Sequence, residues 1–220
     1  MNEELAPMLD QLGNREEKNI GNHCFYEGKL KGRDVILTVS GIGKVQAALT
    51  TAIIINNLKA DIVINTGSAG GLRPESEIGI GHVIVSTGVA YHDVDLTNFG
   101  YKPGQLPEHS LYFRADEKLI KLAMSCERLN THEGLIVSGD QFVCTDEQHN
   151  RILKNFPDAM ATEMEGASIG HVCTELSVPF IVIRSVSDTA DHESTVDFDE
   201  FLPVASRNSS TIALHVLEKL

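Results

Sequence analysis

Asp188 closes the apolar run FIVIRSVSD (180–188), and the following TADHES carries no helical pattern. A carboxylate in that place is either a helix cap or a functional acid, and the missing helix pattern weakens the cap. ATEMEGASIG (161–170) sets Glu163 and Glu165 two residues apart at the mouth of a helix pattern. If the chain is still extended there, the two face opposite ways and only one enters a given pocket. If it is helical, the early acid gains from the helix dipole, and a solvated surface remains the plain alternative. NTGSAGG (65–71) ends another apolar run in small residues that let a ligand approach the backbone; Ser68 adds a hydroxyl, and a tight turn is the bland reading. GLIVSGDQFV (134–143) ends in Phe142, which could stack on a planar ring or simply fill a core. MNEELAP opens the chain with Glu3 and Glu4, either a frayed tail or the edge of a site. Each feature is modest alone. Several carboxylates and a hydroxyl at the ends of apolar runs point together to one pocket with acid–base character.

Such groups need a scaffold that brings the run ends together. RDVILTVS (33–40), DIVINTGS (61–68), HVIVSTGVA (82–90), GLIVSG (134–139) and FIVIRSVS (180–187) are short and rich in β-branched residues, and read as buried strands. Helical patterns lie between them at 44–58, 116–129, 145–156 and 164–176, with a last one over 197–220. Thr145 with Gln148, and Asp197 with Glu200, have capping-box spacing. Strands alternating with helices predict an α/β fold with a mostly parallel sheet covered on both faces and ligands beyond the strands' carboxyl ends. No internal repeat or linker divides the chain, so residues 1–220 read as one domain.

The 42% apolar content supports a real core, while no apolar run is long enough for a membrane span and no secretion signal is evident. A cytoplasmic protein is expected. Net charge of −13 disfavours nucleic acid and anionic membranes as partners and leaves neutral or cationic small molecules. Cys24, Cys126, Cys144 and Cys173 are scattered, without CxxC or metal-finger spacing, and read as small buried hydrophobes. No metal site is expected from the sequence.

At NTGSAGG, SGDQF, ATEMEGASIGHVC and VIRSVSD, with SGIGKV (40–45), 91–107 and FDEFLPVAS (198–206) in support, the chain resembles the purine nucleoside phosphorylase/hydrolase superfamily. Within it, the chain is similar to the 5′-methylthioadenosine/S-adenosylhomocysteine nucleosidases. The resemblance implies a three-layer αβα fold around a mixed, mostly parallel twisted sheet, here without the family's usual first strand before Met1. It implies hydrolysis of an adenine N-glycosidic bond with no metal or organic cofactor. Asp188 takes the position of the general acid at adenine N7, which must hold a proton near neutral pH, as burial or a neighbouring carboxylate favours. Glu4 takes that of the water-activating carboxylate, and Glu165 that of the acceptor of the ribose hydroxyls. Met164 would lie against the sugar, Phe142 would stack on adenine, and the backbone of Val143 would read the base edge. Ser68 and Arg184 match positions around the nucleophilic water. Ile42 and Phe198 match an apolar wall for a 5′-thio substituent. Leu96, Phe99, Tyr101 and Pro107 match residues that complete the pocket of the partner subunit in a homodimer.

Two alternatives stay open at this level. A phosphorylase of the same fold needs fixed cations for phosphate, usually Arg; phosphorylases of the superfamily place one two residues before the Gly of the strand-end motif, where this chain has Asn65. A non-catalytic adenosine-binding protein would keep the pocket and lack a positioned base. An aminofutalosine-type nucleoside shares the adenosine half and fits as an additional substrate.

Overall fold

The computed structural model describes residues 1–190 and 194–220, with side chains from 198 onward in the second segment. After α1 (Asn2–Leu9), three strands form an antiparallel sheet: β1 (Gly13–Ile20), β2 (His23–Leu30) and β3 (Arg33–Thr38). The β2–β3 turn uses Lys31 and Gly32, both at positive φ, which matches the twist of a two-residue hairpin. β1 was not expected from sequence. Its residues GNREEKNI are almost entirely exposed, so the strand carries no apolar alternation and is defined by its pairing with β2.

The rest of the chain runs α2 (Lys44–Asn56), β4 (Val63–Gly71), β5 (Val83–Tyr91), a 3₁₀ turn (Thr97–Phe99), β6 (Phe113–Arg114) and α3 (Glu117–Met124). It continues with β7 (Thr131–Ser138), α4 (Asp146–Asn155), β8 (Ala159–Glu163), α5 (Gly166–Glu175), β9 (Phe180–Asp188) and α6 (Ser194–Lys219). The Thr145 cap is present, with its hydroxyl accepting from the Gln148 N–H. The cap expected at Asp197 is displaced, since α6 begins at Ser194; the side chain of Asp197 lies outside the described residues.

The second sheet has the order β6-β5-β7-β8-β4-β9. β4 with β9, β5 with β7 and β7 with β8 are parallel; β4 with β8 and β5 with β6 are antiparallel. A short antiparallel pairing of β5 with β9 then joins the two sides, so the mixed sheet curls into a partial barrel. Helices cover both faces. Along β9, Phe180, Val182 and Val186 pack in a cluster with Ala167, Ile169 and Cys173 of α5, while Ile181 and Ile183 pack with α1, α3 and α6. Burial on both faces explains the unbroken apolar runs, and each such fully buried Ile contributes about 1.5–3 kcal/mol. No described helix is long and apolar enough to cross a membrane.

The strands run further than their apolar pattern suggested. β4 continues through NTGSAGG to Gly71 and β9 runs on to Asp188, with Arg184 paired in register with Gly67. NTGSAGG, for which a tight turn was the bland alternative, is therefore strand throughout.

Candidate active site

Gly67 is the residue around which the site is built. An added Cβ there would press on Arg184 Nη1 and lie 2.8 Å from Glu4 Oε1, so only glycine lets the two charged groups meet over the strand. Glu4 is brought in by α1, which begins at Asn2 and packs Leu5 and Met8 into the core with α6. Glu4 is 9% exposed, and its carboxylate accepts from the Ser68 N–H at 2.9 Å and from Ser68 Oγ at 3.0 Å. The acidic pair is thus split: Glu3 is exposed, and Glu4 is buried. Burial works to raise the Glu4 pKa, but Arg184, the Met1 amino group and the Ser68 N–H outweigh it and hold the group below its ordinary value.

Both acids of the ATEMEG stretch enter the same cluster, so the opposite facing that a fully extended chain would give does not occur. β8 ends at Glu163 and the chain bends into α5, so the alternation of an extended chain does not apply. Glu163 takes the capping role: it accepts from the N–H groups of Glu165 and Gly166, and from the hydroxyl of Ser138 at the end of β7. Glu165 points into the cavity, held by the Gly43 N–H at 2.9 Å and by Arg184 Nη2 at 3.1 Å. Its pKa is raised, with burial as the main cause and Glu163 adding to it against the pull of Arg184.

Arg184 is 3% exposed and ties the cluster together. It donates to Glu163, Glu165, the Asn65 side chain and the Ser68 carbonyl. Burial alone would lower its pKa; the surrounding carboxylates reverse that and raise it. Asp188, 2% exposed at the end of β9, accepts from the Ala190 N–H at 2.9 Å and from Ser187 Oγ at 2.9 Å.

A brace not seen in the sequence holds the Glu165 side. Gly43 has a φ of 87°, which aims its N–H at Glu165. The next N–H, of Lys44, donates to Asp140 Oδ1 at 2.7 Å, and Lys44 Nζ donates to Asp93 Oδ2 at 2.7 Å. Asp93 Oδ2 also accepts from the Asp140 N–H at 2.9 Å. Burial pushes the Asp93 pKa up, yet Lys44 and the Asp140 N–H hold it below its ordinary value.

A cavity of about 1320 Å³ opens over these groups. Glu4, Ser68, Met164, Glu165, Arg184 and Asp188 line it, as do Ile42, Phe142, Val143 and Phe198. Phe142 is 41% exposed and stands edge-on to Phe198 at 5.8 Å, so it is not a core residue. The cavity continues as a groove between β3 and the Val63–Ser68 part of β4, each paired in a sheet on one side only among the described residues. Leu96, Phe99, Tyr101 and Pro107 do not line the cavity of their own chain. They lie on the connection after β5, where Phe99 is 78% exposed.

Cys126 and Cys173 are buried as expected; Cys24 and Cys144 are only partly so, and all four thiols are free. One grouping escaped the sequence reading. His109, His171 and Glu175 converge away from the cavity, a meeting that no local spacing announces because His109 is distant in sequence.

Such a cavity, with one carboxylate held ionised, a second raised in pKa and a third buried at a strand end, can bind hydroxyls and pass protons in opposite directions. The phosphorylase superfamily model matches residues 1–218. Among solved structures, the 5′-methylthioadenosine/S-adenosylhomocysteine nucleosidase of Neisseria meningitidis, in complex with methylthio-immucillin-A, is 42% identical, with a TM-score of 0.96 over 100% of this chain and 96% of that chain. The corresponding nucleosidase of S. pneumoniae, with a transition-state inhibitor, is 39% identical over 99% of this chain and 95% of that chain, with a TM-score of 0.95. The futalosine hydrolase of Helicobacter pylori is 35% identical over 100% of this chain and 95% of that chain, again with a TM-score of 0.95.

Proposed function

Since the chain belongs to the phosphorylase superfamily and, within it, to the 5′-methylthioadenosine/S-adenosylhomocysteine nucleosidases, we propose that it hydrolyses the N-glycosidic bond of these two nucleosides. The products are adenine and the 5′-thio-substituted ribose. As the C–N bond breaks, positive charge builds on the ribose and negative charge on the base. Asp188 protonates adenine N7, Glu4 takes a proton from the attacking water, and Glu165 accepts from the ribose hydroxyls. Met164 lies against the sugar, Phe142 stacks on the base and the Val143 backbone reads its edge. Ser68 and Arg184 orient Glu4 and Glu165, and Ile42 and Phe198 flank the 5′ group.

The observation that carries hydrolysis over phosphorolysis is the state of Arg184. Both its Nη atoms already donate, to Asn65, Ser68, Glu163 and Glu165, and the charges of Glu163, Glu165 and Glu4 bear on it, a balance that disfavours a phosphate dianion. The ionised state of Glu4 supports a catalyst over a mere binding protein, because that state can accept a proton. The test follows free adenine from methylthioadenosine with and without phosphate. Equal rates and free methylthioribose are expected; a strict need for phosphate, or tight binding with no adenine release, would overturn the reading. A futalosine-type nucleoside belongs in the same assay, given the 35% identity to the Helicobacter pylori hydrolase.

The active form is a homodimer in which Leu96, Phe99, Tyr101 and Pro107 complete the partner's pocket. Exposed apolar side chains support this: Phe99 on the connection, and Val45 and Leu49 on α2, at 76% and 48% exposure. The chain acts as one domain in a reducing cytoplasm, in keeping with four free cysteines.

A further inference from the structure

We propose that His109, His171 and Glu175 form a binding site for a divalent transition-metal cation of the zinc type, separate from the nucleoside pocket. One potential donor atom from each of the three side chains lies within 4.8 Å of the other two. His171 and Glu175 are four residues apart on α5 and share a face. His109 arrives from the connection before β6, with Nδ1 3.5 Å from Glu175 Oε1 and its ring edge-on to His171 at 4.6 Å.

The spacing suits a metal after a small closure. Bonds of about 2.0–2.2 Å in a tetrahedral site place donor atoms roughly 3.3–3.6 Å apart. The His109–Glu175 separation is already there, and a separation at the 4.8 Å limit must shorten by about 1.2–1.5 Å. The side chains free to make that adjustment are His109 and Glu175, at 29% and 57% exposure. His171 is the fixed member. Tyr91 Oη lies 3.1 Å from its Nδ1, and the ring stacks on Phe113 at 4.6 Å with 16° between planes. A hydrogen bond on one ring nitrogen sets the ring's orientation and leaves Nε2 to bind, which is how metal-bound histidines are commonly braced. Two imidazoles and one carboxylate favour zinc, nickel or copper over magnesium or calcium, which take oxygen donors. Three protein ligands leave a fourth position for water. Because His109 follows Pro107 by two residues, a bound cation would fasten the Leu96–Pro107 connection to α5.

The experiment titrates Zn²⁺ into the full chain by calorimetry in chelator-free buffer, and Co²⁺ by visible absorption. One equivalent per chain is expected, with ligand-field bands for Co²⁺ typical of a nitrogen–oxygen site. His109→Ala and His171→Ala should each weaken Zn²⁺ binding at least tenfold and abolish the Co²⁺ bands; Glu175→Gln should weaken binding by a smaller factor. If His171→Ala fails to fold, the more exposed His109→Asn and Glu175→Gln decide the matter. Absence of Zn²⁺ binding, or an affinity untouched by His109→Asn and Glu175→Gln, overturns the proposal and leaves His109–Glu175 as a close polar contact.

Discussion

Glu4 and Glu165 are both buried beside Arg184, yet their pKa values move in opposite directions. Glu4 is backed by N–H and cationic groups, whereas Glu165 also faces Glu163 across the guanidinium. One site thereby keeps one carboxylate ready to accept a proton and a second less inclined to stay ionised. Asp188→Asn should lower kcat by about 10²–10⁴-fold while adenine still binds, because an amide donates a hydrogen bond and transfers no proton. Single-turnover adenine release measured beside adenine binding checks this, and a variant with near-normal kcat removes Asp188 from the role. Arg184→Met tests the charge balance. It leaves Glu163 and Glu165 buried without their shared cation, a type of loss that costs about 3–5 kcal/mol. Urea unfolding of the variant should show that deficit at neutral pH.

At the level of elements, the start of α2 is a lever on Glu165, the proposed ribose ligand. Gly43 holds Glu165, and the Lys44–Asp140–Asp93 brace holds Gly43 in place. Asp140 lies in the loop between β7 and α4, and Asp93 just beyond β5, so three connections meet at one helix end. Asp140→Ala should loosen that end without touching the groups that move protons. A hydrogen bond to a charged group is worth about 1.5–3 kcal/mol, so KM should rise about tenfold or more while kcat changes much less. Steady-state kinetics of this variant beside Asp188→Asn separate positioning from proton transfer; a fall in kcat with unchanged KM would contradict the brace.

Over the whole molecule, stability should decline on mild acidification. Burial lowers the pKa of His92, and burial together with His82 lowers that of His132, both below the ordinary 6.5. The unfolded chain therefore takes up protons at these positions before the folded chain does. Their effect on stability is nil above about pH 6.5 and unfavourable as pH falls through that value toward the folded pKa values. Glu165, with a raised pKa, works the other way over the range above its ordinary value. Thermal unfolding at pH 7.5 and 5.5 should show a lower Tm at 5.5, and His132→Gln should shrink the difference. Assembly is tested at the same scale. Phe99→Glu puts a charge on an apolar surface, so sedimentation should show a larger monomer fraction and kinetics a higher KM. An unchanged dimer with unchanged KM would remove the connection from the partner's pocket.

Local pattern determined the strands with a buried face. The runs at β3, β4, β5, β7 and β9 were readable because burial demands apolar, β-branched residues. Resemblance named Glu4, Ser68, Glu165, Arg184 and Asp188, of which Ser68, Arg184 and Asp188 also stand in or at the end of apolar runs. Local pattern did not reveal β1, whose exposed residues need no apolar face, or β8, which spans only Ala159–Glu163. Nor could it show that Glu163 and Glu165 converge on one guanidinium, since that depends on a bend between β8 and α5. The Gly43–Glu165 contact spans 122 positions of chain and the Lys44–Asp140 contact 96. Periodicity reports which side of an element is buried. Which groups then meet across a cavity is set by strand order and register, and those are properties of the folded chain alone.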